Sequence, residues 1–282
     1  MFFRKKAKEI VSLNLTAIDQ KVIARKNQEI DAEFFENLLQ MAAVKEQKMQ
    51  AIVDLPVYQH LQLILEKPEN RYLLKSAGTK KQLEDYLSAI SLPELVIKEL
   101  NWMQRFEYVY YHTLAVTLLV GVVSLEVFTG RDERLLAIGA ALTHDLGITR
   151  VPRVILEKPG RLDEYEYRLI REHPNYSCIL LTYYFREMEH AFAQTAVAHH
   201  EDGLGTGYPK GVIQENPTAQ IIRLCDIYDA LKTARPFRPA MSTEKALDIL
   251  AEEVAAGKVN ALYFDILHSL AGSQKSSVTG VS

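Results

Sequence analysis

The stretch Thr143-His144-Asp145-Leu146-Gly147 constrains the fold of this chain most, because it places an ionisable pair at the end of an apolar segment. The preceding residues, 135–142, have the sequence LLAIGAAL, which is typical of a buried helix. Burying a histidine beside an aspartate is unfavourable unless the two are paired with other polar groups or bound to a metal. We therefore expect other polar side chains to converge on this pair.

Seven side chains between residues 112 and 226 could bind a metal, and they include five of the chain's eight histidines. They are His112, His144, Asp145, His173, His199, His200 and Asp226. Taken singly, each has a structural alternative. His112 could belong to a buried aromatic cluster, and His173 could be a cation at a helix end. Asp226 could simply pair with Arg223.

Taken together, these residues favour a metal centre. The adjacent pairs His144-Asp145 and His199-His200 both follow apolar helical segments. Neighbouring helical residues point about 100° apart, so a pair can reach two nearby points, as two metal ions about 3.5–4 Å apart require. Imidazoles with carboxylates and no thiolate suit iron, manganese or zinc. A carboxylate can bridge two metals with its two oxygens, so we expect an aspartate where the metals meet.

Helical patterns fill the chain after about residue 95, whereas the segment before it is more mixed. Residues 12–25 could form a small hairpin, and Asp31 is a good N-cap for a helix over 31–49. Residues 95–128 could form two helices or one helix bent at Gly121. We predict a mainly α fold, with a small accessory domain at 1–95 that could be α+β. The main domain is predicted at 96–272, and residues 273–282, rich in Ser, Gly and Thr, as a disordered tail.

Charge and hydropathy exclude several classes of function. The net charge of -3 gives no global attraction to a nucleic acid polymer or to an anionic membrane. The most apolar segment, 114–128, contains Glu126 and is shorter than the roughly 20 residues of a membrane span, so a buried core helix is expected. The two cysteines are far apart and predict no disulfide framework. With no export signal, we expect a cytoplasmic protein.

Six stretches of the sequence occur in an order that is specific to one family. They are HDLG at 144–147, VPRVILEKPGRL at 151–162, REHP at 171–174, HHEDGLGTGYPKG at 199–211, DIYDAL at 226–231 and RPFR at 235–238. In this order and spacing the region from about 95 to 270 resembles an HD-GYP domain, a branch of the HD phosphohydrolase superfamily. The chain is identified as a divergent member.

The resemblance implies a helical HD-type bundle that hydrolyses cyclic di-GMP to pGpG or GMP. It implies two divalent transition-metal ions, with iron the first choice and manganese the second, that activate a hydroxide. One ion would be held by His112, His144, Asp145 and Asp226, and the other by Asp145, His173, His199 and His200. Asp145 is then the bridging, catalytic residue. The resemblance also suggests a GGDEF-type partner at the loop Gly207-Tyr208-Pro209.

Three departures from the family pattern bear on the substrate site. Ile148 stands where the family has a lysine that is expected near a phosphate, Leu204 replaces an aspartate, and Tyr108 replaces the glutamate of trimetallic members. A two-metal site is therefore favoured over a three-metal site. The residues predicted to contact substrate are Arg150, Arg153, Gly205, Gly207, Tyr208 and Arg235. Arg150 or Arg153 is expected to substitute for the missing lysine.

Two alternatives to a cyclic di-GMP phosphodiesterase stay open at this point. The first is a weakly active or inactive sensor that binds the nucleotide and signals through residues 1–95 or the GYP loop. The second is an HD hydrolase of another nucleotide phosphodiester. The assembly state, monomer or homodimer, is also open.

Overall fold

The computed structural model describes residues 9–42, 48–74, 76–234 and 238–272, and most of them are helical. Within these residues the helices are α1 (Ala32–Ala42), α2 (Pro56–Glu66), α3 (Ala77–Ala89), α4 (Glu94–Met103), α5 (Glu107–Val127), α6 (Arg131–Thr143), α7 (Arg153–Leu156), α8 (Glu164–Arg171), α9 (His173–Phe185), α10 (Ala191–Ala198), α11 (Pro217–Lys232), α12 (Thr243–Ala255) and α13 (Ala261–Gly272). The predicted mainly α fold is confirmed.

The strands form two small antiparallel sheets near the N-terminus. Strand β1 (Leu15–Thr16) pairs with β2 (Val22–Ala24), and β3 (Met49–Ala51) pairs with β4 (Ser91–Pro93). The first pair confirms the predicted hairpin within residues 12–25. The second brings two segments about forty residues apart in sequence together, directly before α4. After residue 95 the described residues contain no strand, and only an isolated bridge joins Asp202 to Ile213.

Side-chain caps fix where several helices begin. Asp31 accepts a hydrogen bond from the Phe34 amide at 2.8 Å, as expected for the N-cap of α1. Asp163 and Glu166 form a reciprocal capping box at α8, with N–H···O distances of 2.9 and 2.8 Å. The local sequence therefore determines where α1 and α8 begin. The capping box of α8 also fixes the start of the helix that precedes His173.

Helix α5 lies at the centre of the fold. Because its 21 residues are apolar on all sides, it buries nearly its whole surface and packs against α2, α6 and α11. It is long and apolar enough to cross a membrane, but 78% of its most apolar window is buried inside the protein. This supports the predicted core helix. Of the two alternatives for residues 95–128, the structure has two helices, α4 and α5. Helix α5 continues through Gly121, where an added Cβ would lie 2.5 Å from the Leu83 side chain.

The hydrophobic core runs without a break from the N-terminal region into the later helices. Polar contacts also connect them: the Tyr183 hydroxyl donates to Asp19 at 2.8 Å, and the Ile18 amide donates to the Tyr184 hydroxyl at 2.9 Å. Cys178 and Cys225 are both buried and free. The division at residue 95 stays a prediction, and the predicted tail at 273–282 lies outside the described residues.

Candidate metal centre

The seven predicted ligands lie together, although they come from five helices. His112 projects from the middle of α5, and His144 and Asp145 follow the end of α6. His173 begins α9, the pair His199-His200 follows α10, and Asp226 lies within α11. All seven side chains are at least 85% buried. The convergence expected around His144-Asp145 is therefore present in the structure.

The donor atoms divide into three groups, and within each group they lie within 4.8 Å of one another. The groups are His112, His144 and Asp226; His173, His199 and His200; and His144, Asp145 and His199. The first two groups correspond to the two predicted metal positions. The third takes one histidine from each and adds Asp145, so Asp145 lies beside a histidine of each predicted position. Its role as a bridging carboxylate stays a prediction.

Backbone carbonyls orient three of the histidines. In His144, His173 and His199 the ring Nδ1 lies 2.7, 2.7 and 2.6 Å from the carbonyl oxygen three residues earlier. A carbonyl can only accept, so each Nδ1 must carry the proton. Carbonyls are free at these places because the histidines lie at helix ends, where the last turn lacks intrahelical donors. Each Nε2 is thus left unprotonated in the neutral ring and is directed toward the centre.

The Nε2 atoms of three histidines lie at short distance from one another. The Nε2 atom of His173 lies 3.2 Å from Nε2 of His199 and 3.2 Å from Nε2 of His200. For His173 and His199, whose Nδ1 atoms carry the proton, two lone pairs at this distance repel unless a cation lies between them. Among the described residues, His144 Nε2 is also buried without a hydrogen-bond partner. This arrangement is unfavourable for a structural cluster but fits a divalent metal.

At four of the predicted ligands the electrostatics favour the protonation state that binds a metal. At His173 burial lowers the pKa, but the neighbouring Asp145 carboxylate more than offsets this and raises it above the usual value. Burial lowers the pKa of His199 to about 3 and holds the pKa of His200 well below its usual value, so both rings are neutral. Burial alone would raise the pKa of Asp145, but the neighbouring histidines hold it well below its usual value. The pKa of Asp226 is lowered in the same way by its hydrogen bond to His112. Neutral imidazoles with carboxylates suit transition metals such as iron, manganese and zinc.

Asp229 is a site residue that the sequence interpretation missed. His112 lies between two carboxylates: its Nε2 is 2.9 Å from Asp226 Oδ1, and its Nδ1 is 2.6 Å from Asp229 Oδ2. Burial opposes protonation of His112, but these two hydrogen bonds raise its pKa well above the usual value. The signal was present in the sequence, because Asp229 follows Asp226 by three residues and thus lies on the same side of α11.

A cavity of about 740 Å³ opens onto the predicted ligands. His112, Asp145, His200 and Asp226 line it at one end. Its walls are largely apolar and include Ile148, the residue at the expected lysine position. Three tyrosines and two arginines supply most of the remaining polar lining, and they are Tyr108, Tyr167, Tyr208, Arg161 and Arg238. The cavity can therefore take an aromatic, anionic ligand against the metal ligands.

The GYP loop contributes one of its predicted residues to this cavity. The Tyr208 ring stacks on His200, with centroids 4.5 Å apart, and the Arg171 guanidinium lies 4.5 Å from the centre of the Tyr208 ring. Neither Gly205 nor Gly207 is among the described residues that line the cavity. Gly207 packs on backbone, since an added Cβ would lie 2.3 Å from the His200 carbonyl oxygen, and Gly205 has a φ of 70°. These glycines shape the loop that holds Tyr208.

The exposed position of Leu204 explains how the loop tolerates the absence of the family aspartate. Leu204 is 51% exposed, and it does not line the cavity in the described part of the chain. Asp202 instead organises the turn by accepting hydrogen bonds from the amides of Leu204 and Thr206, at 3.0 and 2.8 Å. This departure from the family pattern therefore affects the loop more than the metal ligands.

The structure does not bring Arg150 or Arg153, two of the three arginines predicted to contact substrate, into the cavity. Arg150 points the other way, donating to the Thr16 carbonyl at 2.9 Å and pairing with Glu99, because that fully buried carboxylate needs a counter-charge. Arg153 is exposed, pairs with Glu157 at 2.7 Å and lines a neighbouring cavity. Arg235 lies outside the described residues. The cavity's arginines are Arg161 and Arg238, which were not predicted.

Comparison with known proteins gives one family for the later part of the chain. Residues 130–260 match the family model described as HD domain. The 3'3'-cGAMP-specific phosphodiesterase 3 of Vibrio cholerae is 37% identical over 149 residues, which cover 52% of this chain and 32% of that protein. The cyclic di-GMP phosphodiesterase PA4108 of Pseudomonas aeruginosa is 33% identical over 175 residues, which cover 60% of this chain and 42% of that protein. The chain thus spans less than half the length of these curated relatives.

One solved structure resembles the chain over nearly its whole length. It is an HDG"Y"P protein from Bdellovibrio bacteriovorus, with a TM-score of 0.49 and 14% sequence identity, and the match covers 96% of each chain.

Proposed function

Because residues 130–260 of this chain belong to the HD domain family, as the sequence resemblance predicted, we propose that the protein is a metal-dependent phosphodiesterase of cyclic dinucleotides. The observation that carries the proposal is the convergence of seven buried ligands, in which His173 Nε2 lies 3.2 Å from the Nε2 atoms of both His199 and His200. Relatives with this activity support the substrate class. We propose cyclic di-GMP as substrate and pGpG or GMP as product.

A second substrate, 3'3'-cGAMP, is favoured by a specific observation. Two relatives from Vibrio cholerae, 37% and 35% identical to this chain, are named 3'3'-cGAMP-specific phosphodiesterases. The two substrates share the dinucleotide ring and both phosphodiesters and differ in one base. Selectivity between cyclic di-GMP and 3'3'-cGAMP must therefore come from the cavity residues that contact this base.

We propose two divalent transition-metal ions, with iron the first choice and manganese the second. His112, His144, Asp145 and Asp226 would hold one, and Asp145, His173, His199 and His200 the other, in agreement with the grouping of the donor atoms. When bound, such ions polarise a phosphoryl oxygen and lower the pKa of a water molecule toward neutrality. The carbonyl contacts to the histidine Nδ1 atoms keep the ligand atoms directed at this position before substrate arrives.

The cavity side chains bind and orient the substrate in this proposal. A cyclic dinucleotide carries two phosphodiesters, so a phosphate remains to be bound when the other lies at the metal ligands. Arg161 is exposed, and among the described residues no ion pair or hydrogen bond is recorded for its guanidinium. It can therefore bind the second phosphate. Arg238 is held at the end of α11 by the carbonyls of Ala230 and Leu231, at 2.5 and 3.3 Å.

Replacing Arg161 with alanine should raise KM for the cyclic dinucleotide about tenfold and leave kcat nearly unchanged. A hydrogen bond to a charged group contributes about 1.5–3 kcal/mol, and about 1.4 kcal/mol corresponds to a factor of ten. The measurement is steady-state hydrolysis at saturating metal. Arg153→Ala is the matched control, since that exposed arginine lies outside this cavity. Equal KM values in the wild type and the Arg161 variant would exclude Arg161 as a phosphate ligand.

Incubation of the metal-loaded protein with cyclic di-GMP, 3'3'-cGAMP and linear pGpG tests the proposed function. The preparation is made without oxygen, once with iron and once with manganese, and products are separated by chromatography. Hydrolysis of a cyclic dinucleotide supports the proposal and identifies the preferred substrate. Tight binding without product would instead support the sensor, an alternative motivated by Ile148 at the lysine position. If the protein neither binds nor hydrolyses any of the three nucleotides, the result would contradict both the phosphodiesterase and the sensor.

We further propose that the protein acts in the cytoplasm and that the loop Gly207-Tyr208-Pro209 contacts a GGDEF-type partner. The loop is only half-buried, so part of its surface is accessible. A homodimer also stays open. Co-purification of wild type and a loop variant with a GGDEF-type domain tests the partner, and an unchanged complex in the variant would argue against this loop.

A further inference from the structure

We infer that Asp229 is a positioning residue that sets the metal affinity of one of the two ion positions, by acting on His112. This inference rests on the proposed metal-dependent function. It concerns a residue that lies outside the predicted ligand set and is not among the described residues that line the substrate cavity. Asp229 instead lines the neighbouring cavity of about 900 Å³ on the other side of His112.

The inference begins from a difference among the histidines. His144, His173 and His199 each use a carbonyl three residues earlier to fix the Nδ1 proton, which is possible because they lie at helix ends. His112 lies inside α5, where the backbone carbonyls are occupied by intrahelical hydrogen bonds. It therefore needs a partner from another helix to hold its ring.

Asp229 supplies that partner. Its Oδ2 atom lies 2.6 Å from His112 Nδ1, a short distance that is typical of a hydrogen bond to a charged acceptor. The opposite nitrogen, Nε2, is 2.9 Å from Asp226 Oδ1 and belongs to the group of His112, His144 and Asp226. Asp229 thus holds the direction of the ring, and it keeps the proton on Nδ1 when Nε2 binds a metal.

The charge of Asp229 adds a second effect. The other three histidines donate to neutral carbonyls, whereas His112 donates to a carboxylate. A carboxylate partner makes the imidazole a stronger donor to a metal, and loss of such a partner typically weakens metal binding about 10–100-fold. The weakening should be confined to the position that uses His112, because the ligands His173, His199 and His200 make no recorded contact with Asp229 in the described part of the chain.

Asp229 has few partners besides His112, so substitutions can separate its effect on metal binding from an effect on the fold. Its side chain is 13% exposed, and the one other partner recorded for it is the Thr233 hydroxyl at 3.3 Å. Asp229→Asn keeps the size of the side chain and an oxygen that can accept from Nδ1, but removes the charge. Asp229→Ala removes both. A graded loss of affinity from wild type to Asn to Ala is therefore expected.

The experiment titrates the full chain, stripped of metal with a chelator, with Mn²⁺ by calorimetry and electron paramagnetic resonance. We expect two binding events in the wild type. In Asp229→Asn one event should weaken about 10–100-fold and the other should stay unchanged. At an intermediate Mn²⁺ concentration, Asp229→Asn should give the electron paramagnetic resonance signal of isolated Mn²⁺ ions. The wild type should give the signal of a coupled pair of ions at the same concentration. Asp248→Asn, an exposed aspartate on α12, is the matched control.

Each outcome has a definite meaning. Two unchanged events in both Asp229 variants, or equal weakening of both events, would overturn the inference while leaving the proposed metal centre intact. No metal binding by the wild type would contradict the proposed function itself. Thermal unfolding of the metal-free variants checks that a changed affinity does not come from loss of the fold.

Discussion

Replacing Asp145 with asparagine should remove metal from both positions together and lower hydrolysis of the cyclic dinucleotide by at least about a thousandfold. Asp145 is the acidic member of the group that also contains His144 and His199, and its Oδ1 atom lies 3.1 Å from His173 Nε2. It therefore contacts both sets of ligands. Bound metal contributes several kcal/mol to stabilising the transition state, and each 1.36 kcal/mol is a factor of ten in rate.

The measurement for Asp145→Asn is metal content by elemental analysis together with the initial rate of hydrolysis. Asp132→Asn is the matched control, because Asp132 is an exposed aspartate in the first turn of the same helix, α6. The control should keep both metal and activity. A variant that retains two metal ions per chain would show that Asp145 is not the bridging ligand.

Replacing Arg150 with methionine should lower the free energy of unfolding by about 3–5 kcal/mol, because it leaves the buried Glu99 carboxylate without its counter-charge. The Glu99 side chain is fully buried, and the Arg150 side chain is 12% exposed. The Tyr184 hydroxyl also donates to Glu99, and Arg150 holds the Thr16 carbonyl. The network therefore connects the N-terminal hairpin to the segment that follows Asp145.

Arg153→Met is the matched control for Arg150→Met. Its ion pair with Glu157 has side chains 62% and 51% exposed, and such surface pairs contribute at most about 1 kcal/mol. Urea unfolding with excess chelator compares the two variants without a contribution from bound metal. A double variant, Glu99→Leu with Arg150→Met, should lose less stability than Arg150→Met alone. Equal losses for Arg150→Met and Arg153→Met would contradict a structural role for the buried pair.

The convergence of the predicted ligands could be expected from the sequence because the motifs that carry them are local. Two adjacent pairs, His144-Asp145 and His199-His200, each follow an apolar helix whose end sets their direction. Backbone geometry at a helix end then provides the carbonyl that orients the ring. For these residues the local sequence determines most of the geometry, and the structure brings all of them together.

The arginines could not be assigned in the same way. Arg150, Arg153 and Arg161 all lie close to the HD motif in sequence, but the direction of a long side chain depends on its tertiary partners. Arg150 turns toward Glu99, fifty-one residues away in the chain. Arg161, for which the described part of the chain records no such partner, lines the cavity instead. Sequence spacing contains no information about the position of Glu99.

Asp229 and Gly121 show a related difference between local and tertiary information. The three-residue spacing of Asp226 and Asp229 was visible, but its meaning required the ring of His112, which comes from a different helix. Gly121 suggested a bend, yet α5 continues through it, and Leu83 of α3 occupies the space that a Cβ at this position would need. In both cases the determining contact is made between helices.

The metal content of the wild-type protein tests the central claim most directly. Full-length protein is purified without chelators, and its transition metals are counted by elemental analysis, before and after incubation with iron or manganese. The seven converging ligands predict about two ions per chain. Well-folded protein that stays free of transition metal, even after incubation with excess iron or manganese, would contradict the metal centre and the phosphodiesterase activity proposed from it.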